Sequence, residues 1–374
     1  MPIRVPFSRL TPTEVFAHDA TTAQVVVRTD RPDVDVEVLG RRHRFLSGGG
    51  AAVFTIDGLA PASTTTAAIE TRDGATFLDI VTRHSIGSSL TRIATVSDVH
   101  LGLDNFGLVR RLRDDHHVPY ALRCLRAAFA EAETWGAELI IVKGDLTESG
   151  LRAEWDMAAD VVNSTSVPVI ITPGNHDHSR KADVDPTDAI RSLGLEHAPV
   201  QVRDLVGIRV IVADTSIDGK GHGSFRSSAD EVIEQVRSSP TPVLVATHHN
   251  VQRTPLPWFW PPGVSSFDAR PVVTELDRLD PPVFLTSGHT HRNRVHHLGG
   301  AGSLVATEVS STSDYPGVWA GYEVSGTAIR QTVHRIAEAS AVAWTERTIR
   351  AVGGVWPRWS QGRLDDRCVD LRFA

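Results

Sequence analysis

The spacing of apolar residues along the chain changes character near residue 86. Before that point apolar positions come in short runs, and "VDVEV" (34–38) alternates strictly with period two, the pattern of a strand with one buried face. "TTAAIET" (65–71) and "ATFLDIVT" (75–82) are further strand-like runs, and Asp73-Gly74 between them predicts a hairpin. Strands this short, separated by turn signals, predict a small β-sandwich over residues 1–86. No cluster of chemistry-bearing side chains falls there, so a structural or positioning module is expected.

Beyond residue 86 the apolar runs lengthen and lose their alternation. "RIATVS" (92–97), "ELIIVK" (138–143), "PVIIT" (168–172), "IRVIVA" (208–213), "PVLVAT" (242–247) and "PVFLTS" (282–287) read as strands buried on both faces. Helical stretches lie between them, notably 119–135 and 151–163, which makes residues 87–374 an α/β unit. From about Leu304 further strand-like segments follow, while "AVAWTERTIRAVGGVWPRW" (341–359) fits neither period. In open α/β sheets ligands bind beyond the carboxyl ends of the strands, so polar clusters directly after these runs are expected to converge.

Composition narrows the chemistry. With 374 residues and 41% apolar content the chain can bury a sizeable core, and a net charge of -7 argues against a general nucleic-acid or anionic-membrane surface. The N-terminal "MPIRVPFSRLTPTEV" lacks a continuous apolar stretch and no later run is long enough to span a bilayer, so a cytoplasmic protein is expected. Lysine occurs only at 143, 181 and 220 against abundant Arg, Ala and Val, a bias expected of a GC-rich bacterial gene. The two cysteines, Cys124 and Cys368, are too few for a thiolate site, which leaves nitrogen and oxygen donors for any metal.

Such donors follow the predicted strands. "SDVH" (97–100), "KGDLTE" (143–148), "TPGNHDH" (172–178), "ATHHN" (246–250) and "SGHTH" (287–291) each crowd carboxylates, amides or imidazoles onto a short segment. Strand geometry would send residues i and i+2 to one side, pairing Asp98 with His100 and His289 with His291. Gly144 and Gly174 permit tight turns that bring Asp145 and Asn175 near a common centre. Carboxylate, amide oxygen and imidazole without thiolate suit Zn, Mn or Fe.

In that order DxH, GDxxE, GNHD, HH and GHTH, with separations from Asp98 onward of 47, 30, 73 and 41 residues, resemble the five motifs of the calcineurin-like metallophosphoesterase superfamily. Within it the chain is most similar to the class III cyclic-nucleotide and glycerophosphodiester phosphodiesterases. The resemblance implies a four-layer α/β/β/α sandwich and two metal ions, Mn, Fe or Zn. One would be held by Asp98, His100, Asp145 and His291, the other by Asp145, Asn175, His248 and His289, with Asp145 bridging. His176 would bind a phosphoryl oxygen or protonate the leaving oxygen. Glu148 would orient His176; the alternative is an exposed residue opening the next helix. The implied reaction is direct attack of a metal-bridging hydroxide on phosphorus, without a covalent phosphoenzyme.

The substrate implied is a small phosphodiester, with a phosphomonoester as the second reading. A nuclease would need a basic groove, which the acidic balance opposes, so no stable nucleic-acid or membrane partner is expected. A binding module on a dead enzyme fold would have lost motif residues that all remain here. The first 86 residues resemble the fibronectin-like domain of purple acid phosphatases through "LTPTEV" (10–15) and "GLAPAS" (58–63). Those enzymes carry tyrosine where Glu148 stands and lack the histidine of DxH, so the protein should not be purple.

Asn250 replaces the proline that commonly follows HH in class III enzymes, leaving His249 between supporting a metal ligand and touching substrate. Trp258, Phe259 and Trp260, set between prolines, suggest an apolar wall over the site, a contact in a homo-oligomer, or ordinary loop packing. "RRLRDDHH" (110–117) reads as a solvated charged segment with a lid as the alternative, and "VHHLGG" (295–300) as a strand with His296 and His297 on opposite faces. Ser311 or Thr312, in "TEVSSTSDYPG" (307–317), would touch substrate.

Overall fold

The computed structural model describes residues 10–47, 50–71, 74–107, 111–298 and 304–373. Its first seven strands are β1 (Thr13–His18), β2 (Ala23–Thr29), β3 (Asp33–Val38), β4 (Arg41–Leu46), β5 (Gly50–Ile56), β6 (Thr64–Thr71) and β7 (Gly74–Val81). They pair as two antiparallel sheets, β1-β2-β5 and β4-β3-β6-β7. Val25, Val27, Val34, Val36 and Ile69 fill the space between them, which is what the period-two pattern of β3 demands. β6 and β7 pair as expected from the sequence, although Asp73 of the predicted turn lies outside the described residues.

The rest of the chain alternates strands and helices: β8 (Ser89–Val96), the short β9 (Asn105–Phe106) and β10 (Leu112–Arg113), α1 (Tyr120–Trp135), β11 (Leu139–Lys143), α2 (Arg152–Ser164), β12 (Val169–Thr172), α3 (Pro186–Ser192), β13 (Val200–Leu205), β14 (Ile208–Ala213) and α4 (Ala229–Arg237). It continues through β15 (Val243–Thr247), α5 (Ser266–Arg278), β16 (Val283–Ser287), β17 (Arg294–His297), β18 (Leu304–Glu308), β19 (Val318–Ser325), β20 (Ala328–Arg335), α6 (Ala339–Thr348) and β21 (Cys368–Arg372). Two six-stranded sheets result, ordered β12-β11-β8-β19-β20-β21 and β13-β14-β15-β16-β18-β17. One apolar layer packs between the sheets, a second under α1 and α2, and a third under α4 and α5, giving four layers in the order α/β/β/α.

Local chemistry explains the boundaries. β11, β15 and β16 are buried at every position, and each opens on an unbroken apolar run before ending on a buried polar residue next to the site. α1 starts after Pro119, which has no N–H to lose, and stops at Gly136, whose φ of 87° ends the helix in the left-handed region. The ambiguous stretch 341–359 is α-helical to Thr348 and reaches a short helix at Trp356 through a turn over 349–355: Ala341, Trp344, Thr345 and Thr348 fall on one buried face, and the Glu338 carboxylate caps α6 by accepting from Ser340 N and Ala341 N. The apolar layer between the two large sheets also takes in Phe16, Val26 and Val53 from the first unit. Gln24 ties that unit down further, donating to Arg335 O at 2.7 Å and accepting from Arg335 N at 2.7 Å.

Candidate metal centre

Each motif stands on the loop that leaves a strand: Asp98 and His100 after β8, Asp145 after β11, Asn175 after β12, His248 after β15, His289 and His291 after β16. The loops after β8 and β11 are stitched by backbone bonds from Asp98 N to Gly144 O (3.1 Å) and from His100 N to Asp145 O (3.0 Å). The paired side chains do not meet by strand alternation, as the sequence suggested. Asp98 (φ 54°), His100 (54°), Asp145 (49°), His289 (67°) and His291 (50°) all adopt the left-handed conformation, so each pair is aimed by a turn. Non-glycine residues held there cost about 1–3 kcal/mol each, a strain the surrounding fold has to sustain.

The glycine before Asp145, Asn175 and His289 has a steric reason. A Cβ on Gly144 would stand 2.6 Å from His248 Nδ1, one on Gly174 would strike Asp145 Oδ1, and one on Gly288 would strike Ser97 and Asp98. At Gly144 a φ of +81° adds a conformational requirement. The pattern of a glycine before the donor therefore records how closely the loops approach.

The histidines share a hydrogen-bond logic. His248 Nδ1 donates to Lys143 O (2.7 Å), His291 Nδ1 to Asp314 Oδ2 (2.6 Å) and His100 Nδ1 to Glu148 Oε2 (2.9 Å). In each ring that leaves Nε2 as the lone pair facing the centre. The Nε2 atoms of His100 and His291 face each other at 3.2 Å, and His289 Nε2 is buried with no hydrogen-bond partner among the described residues. Asp145 Oδ2 lies 3.3 Å from His248 Nε2 and 4.0 Å from His100 Nε2, while Asn175 Oδ1 lies 3.2 Å from His248 Nε2. Asp98 Oδ1 is 3.5 Å from His291 Nε2, and both Asp98 oxygens accept from His289 N at 3.0 Å.

Asp98, His100 and His291 thus form one group of converging ligand atoms, and Asp98, Asp145 and His248 another that shares Asp98; His248, His249 and His289 form a third, and His100, Glu148 and His176 a fourth. Lone pairs pointing at one another without hydrogens between them repel, so this donor set fits cations. Electrostatics set protons in competition for these lone pairs. Burial opposes protonation of His291, yet the Asp314 and Asp98 carboxylates push it up to about 9; His248 is likewise raised to about 9, against burial, by Asp145. The same carboxylate field attracts metal ions, which compete with protons for Nε2.

His176 sits beside this cluster. Its ring is edge-on to His100 at a centroid distance of 4.6 Å, its backbone N donates to Asp145 Oδ1 (2.8 Å), and its side chain is 37% exposed, more than the surrounding imidazoles. Nδ1 is held by Glu148 O at 2.9 Å and lies 3.3 Å from Glu148 Oε2. Burial lowers its proton affinity, but Asp145 and Glu148 outweigh it and raise His176 to about 10. Glu148 does not open the next helix, since α2 starts at Arg152; its carboxylate touches both His100 and His176.

Three substrate-contact expectations change. Ser311 is fully buried, and its hydroxyl donates to Asp98 O (2.8 Å) while accepting from Ser313 N, so it supports the Asp98 loop from beneath; Thr312 is buried likewise, donating to Val318 O. His249 is also fully buried, with Nδ1 3.0 Å from Thr215 Oγ1 and its ring 4.7 Å from that of His289, which leaves a supporting place behind His289 and no direct approach by substrate. Trp258 is 68% exposed and points into solvent. Residues 112–113 of the charged segment form a small hairpin with 105–106, with Arg110 outside the described residues. His296 turns inward to Glu308 (2.6 Å); Gly299 and Gly300 are not among the described residues.

Sequence reasoning missed Asp314 and Asp177. Asp177 is buried and accepts from Thr147 N (2.8 Å), Thr147 Oγ1 (2.6 Å) and Gly174 N (2.8 Å), locking two motif loops together. Asp314 also accepts from Trp356 Nε1 (2.8 Å); a buried carboxylate within a run of hydroxyl residues was its only signal. Asp314→Asn keeps the size and removes the charge behind His291. Metal affinity, measured by competition with a chelating dye, is expected to fall ~10- to 100-fold with little change in melting temperature; wild-type affinity would remove Asp314 from the centre.

A family model described as calcineurin-like phosphoesterase matches residues 91–293, a span that contains every residue from Asp98 to His291. A "Probable cyclic nucleotide phosphodiesterase" of Psychrobacter arcticus is 28% identical over 169 residues, 44% of this chain and 60% of the relative. A "Probable glycerophosphodiester phosphodiesterase GpdQ" of Arcobacter nitrofigilis is 27% identical over 166 residues, 41% of this chain and 57% of the relative. The matched region therefore spans less than two thirds of either relative. A solved dimetal phosphatase from Danio rerio superposes with a TM-score of 0.52 at 12% identity, covering 67% of this chain and 98% of that one, a likeness of fold. With more than half of its length matched, from the first large-sheet strand to the last motif, the chain belongs to the calcineurin-like phosphoesterase family.

Proposed function

We propose that the protein is a dinuclear metal-dependent phosphodiesterase acting on small phosphodiesters of the cyclic-nucleotide or glycerophosphodiester kind. The observation that carries this reading is the position of Asp145, whose Oδ2 lies between His248 Nε2 at 3.3 Å and His100 Nε2 at 4.0 Å. A carboxylate oxygen placed between two imidazole groups suits a bridge between two cations. Asp98, His100 and His291 would hold one ion with Asp145, and Asn175, His248 and His289 the other. Bound there, divalent cations supply Lewis acidity to the phosphoryl oxygens and acidify a water for in-line attack. The names of the two curated relatives support a diester substrate.

The chain's own groups divide the remaining work. Asp314, Glu148 and the Lys143 carbonyl fix the tautomers of His291, His100 and His248, so no reorientation is needed when substrate arrives. His176, the most accessible of these imidazoles, would place an Nε2 proton on the departing oxygen while Glu148 O retains Nδ1. The test is to strip the metals, restore Mn, Zn or Fe singly, and compare bis-p-nitrophenyl phosphate with p-nitrophenyl phosphate. Activity that returns with metal and prefers the diester is expected; preference for the monoester would replace the reading with a phosphatase.

A further inference from the structure

The exposed apolar surface of this protein is unevenly placed. Among the described residues, five of the twelve exposed large apolar side chains fall between 256 and 267: Leu256 (46% exposed), Trp258 (68%), Phe259 (56%), Trp260 (68%) and Phe267 (78%). The segment is held in this posture. Buried Gln252 donates through Nε2 to Phe259 O (2.7 Å) and to Pro261 O, and Gly263 N donates to Pro257 O (3.1 Å). A fixed loop that keeps Trp258, Phe259 and Trp260 in water, with Phe267 exposed in the first turn of α5, which Ser266 N ties to Thr254 O (2.8 Å), marks a surface meant to be covered.

Arginines border it. Arg253 and Arg294 line a hollow of about 230 Å³ with Phe259 and Trp260, and Arg294 and Arg363 line an adjoining hollow of about 360 Å³ with Trp359. The rings of Trp260 and Trp359, 6.0 Å apart, join the two. Of the two carboxylates lining these hollows, Glu308 is occupied by Arg292 (2.6 and 2.9 Å) and His296 (2.6 Å), and Asp366 accepts from Val295 N (3.1 Å) and Arg363 N (2.9 Å). The whole chain carries a net charge of -7, and this rim departs from that average. It also adjoins the metal centre, because Trp359 Nε1 donates to Thr290 O (2.8 Å), between His289 and His291.

We propose that this aromatic and arginine-bordered rim docks on an anionic phospholipid bilayer, so that the centre works on phosphodiesters presented at a membrane surface. The docking stands on the rim alone; the clause about substrate rests on the phosphodiesterase reading. Indoles and phenyl rings on a fixed tip enter the headgroup boundary, and arginines beside them meet the anionic headgroups. A second copy of the chain fits less well, because a two-fold contact through this rim would set arginine against arginine. Single-stranded nucleic acid would use the flat indoles but leave Leu256 and the outward Phe267 without a role.

The experiment sediments the full chain with vesicles of phosphatidylcholine alone and of phosphatidylcholine with phosphatidylglycerol. Binding to the mixed vesicles at least ~10-fold tighter than to the neutral ones is expected, weakening with salt. Trp260→Ser/Phe267→Ser and Arg253→Gln/Arg294→Gln should each reduce it ~10-fold or more while leaving hydrolysis of soluble bis-p-nitrophenyl phosphate unchanged, which also certifies their fold. Equal affinity for both vesicles, no sedimentation, or undiminished binding by the variants overturns the proposal. So does a dimer in light scattering that Trp260→Ser/Phe267→Ser dissolves, or oligothymidylate binding with the same arginine dependence and no vesicle binding. If metal-loaded protein binds vesicles but hydrolyses no diester, the phosphodiesterase reading fails and the docking stands; the reverse result removes the docking alone.

Discussion

Asp145→Asn is expected to lower metal content from two equivalents to one or fewer and to reduce kcat/KM by roughly 10³-fold or more. The amide retains Oδ1, which accepts from His176 N at 2.8 Å, so the loop should keep its course. What disappears is the negative charge at Oδ2, the atom that lies near both His248 and His100. Two cations a few ångströms apart repel strongly unless an anionic bridge offsets them. Losing one removes Lewis-acid stabilisation worth several kcal/mol, and each ~1.36 kcal/mol is a factor of ten in rate. Elemental analysis after dialysis and single-turnover rates are the measurements. Two tightly held equivalents in the variant would dismiss the bridging role and, with it, the dinuclear reading.

His176→Ala is expected to behave differently, keeping both metal equivalents while kcat falls ~10²- to 10⁴-fold. The ring converges with His100 and Glu148 but joins no group that contains Asp98 or Asp145, and its Nδ1 is engaged by Glu148 O and the Glu148 carboxylate. Its role is therefore read through the leaving group. p-Nitrophenolate departs readily without a proton, whereas an alkoxide does not, so the loss should be larger for a glycerol or ribose ester than for bis-p-nitrophenyl phosphate. Equal losses on both substrates would point to charge stabilisation without proton transfer. Retention of full activity on both would remove His176 from the reaction.

Much of the fold was legible because burial on both faces writes itself into sequence. "IRVIVA" coincides with β14, and "PVLVAT" and "PVFLTS" differ from β15 and β16 only by their leading proline. The helix predicted over 119–135 runs from Tyr120 to Trp135, Pro119 being its cap. Residues 341–359 stayed opaque because β-branched Val342, Thr345 and Thr348 weaken the helical signal, and only tertiary packing on one face resolves it.

In the site, residues that share a short segment could be read together, and those that act across long separations could not. Asp314 reaches His291 from 23 residues away, and Lys143 O reaches His248 from 105. Ser311 was misread for a related reason: nothing local indicates that its loop passes beneath Asp98, which is 213 residues earlier. The i, i+2 reading paired Asp98 with His100 as the structure does, but His289 and His291 fall in different groups, and positive φ in a turn, not strand alternation, aims all four.

That left-handed backbone has an evolutionary corollary. Asp98, His100, Asp145, His289 and His291 occupy conformations that glycine would adopt at lower cost, so at these positions drift toward sturdiness and retention of chemistry pull in opposite directions. A descendant released from its task could firm up its scaffold simply by letting these five side chains go.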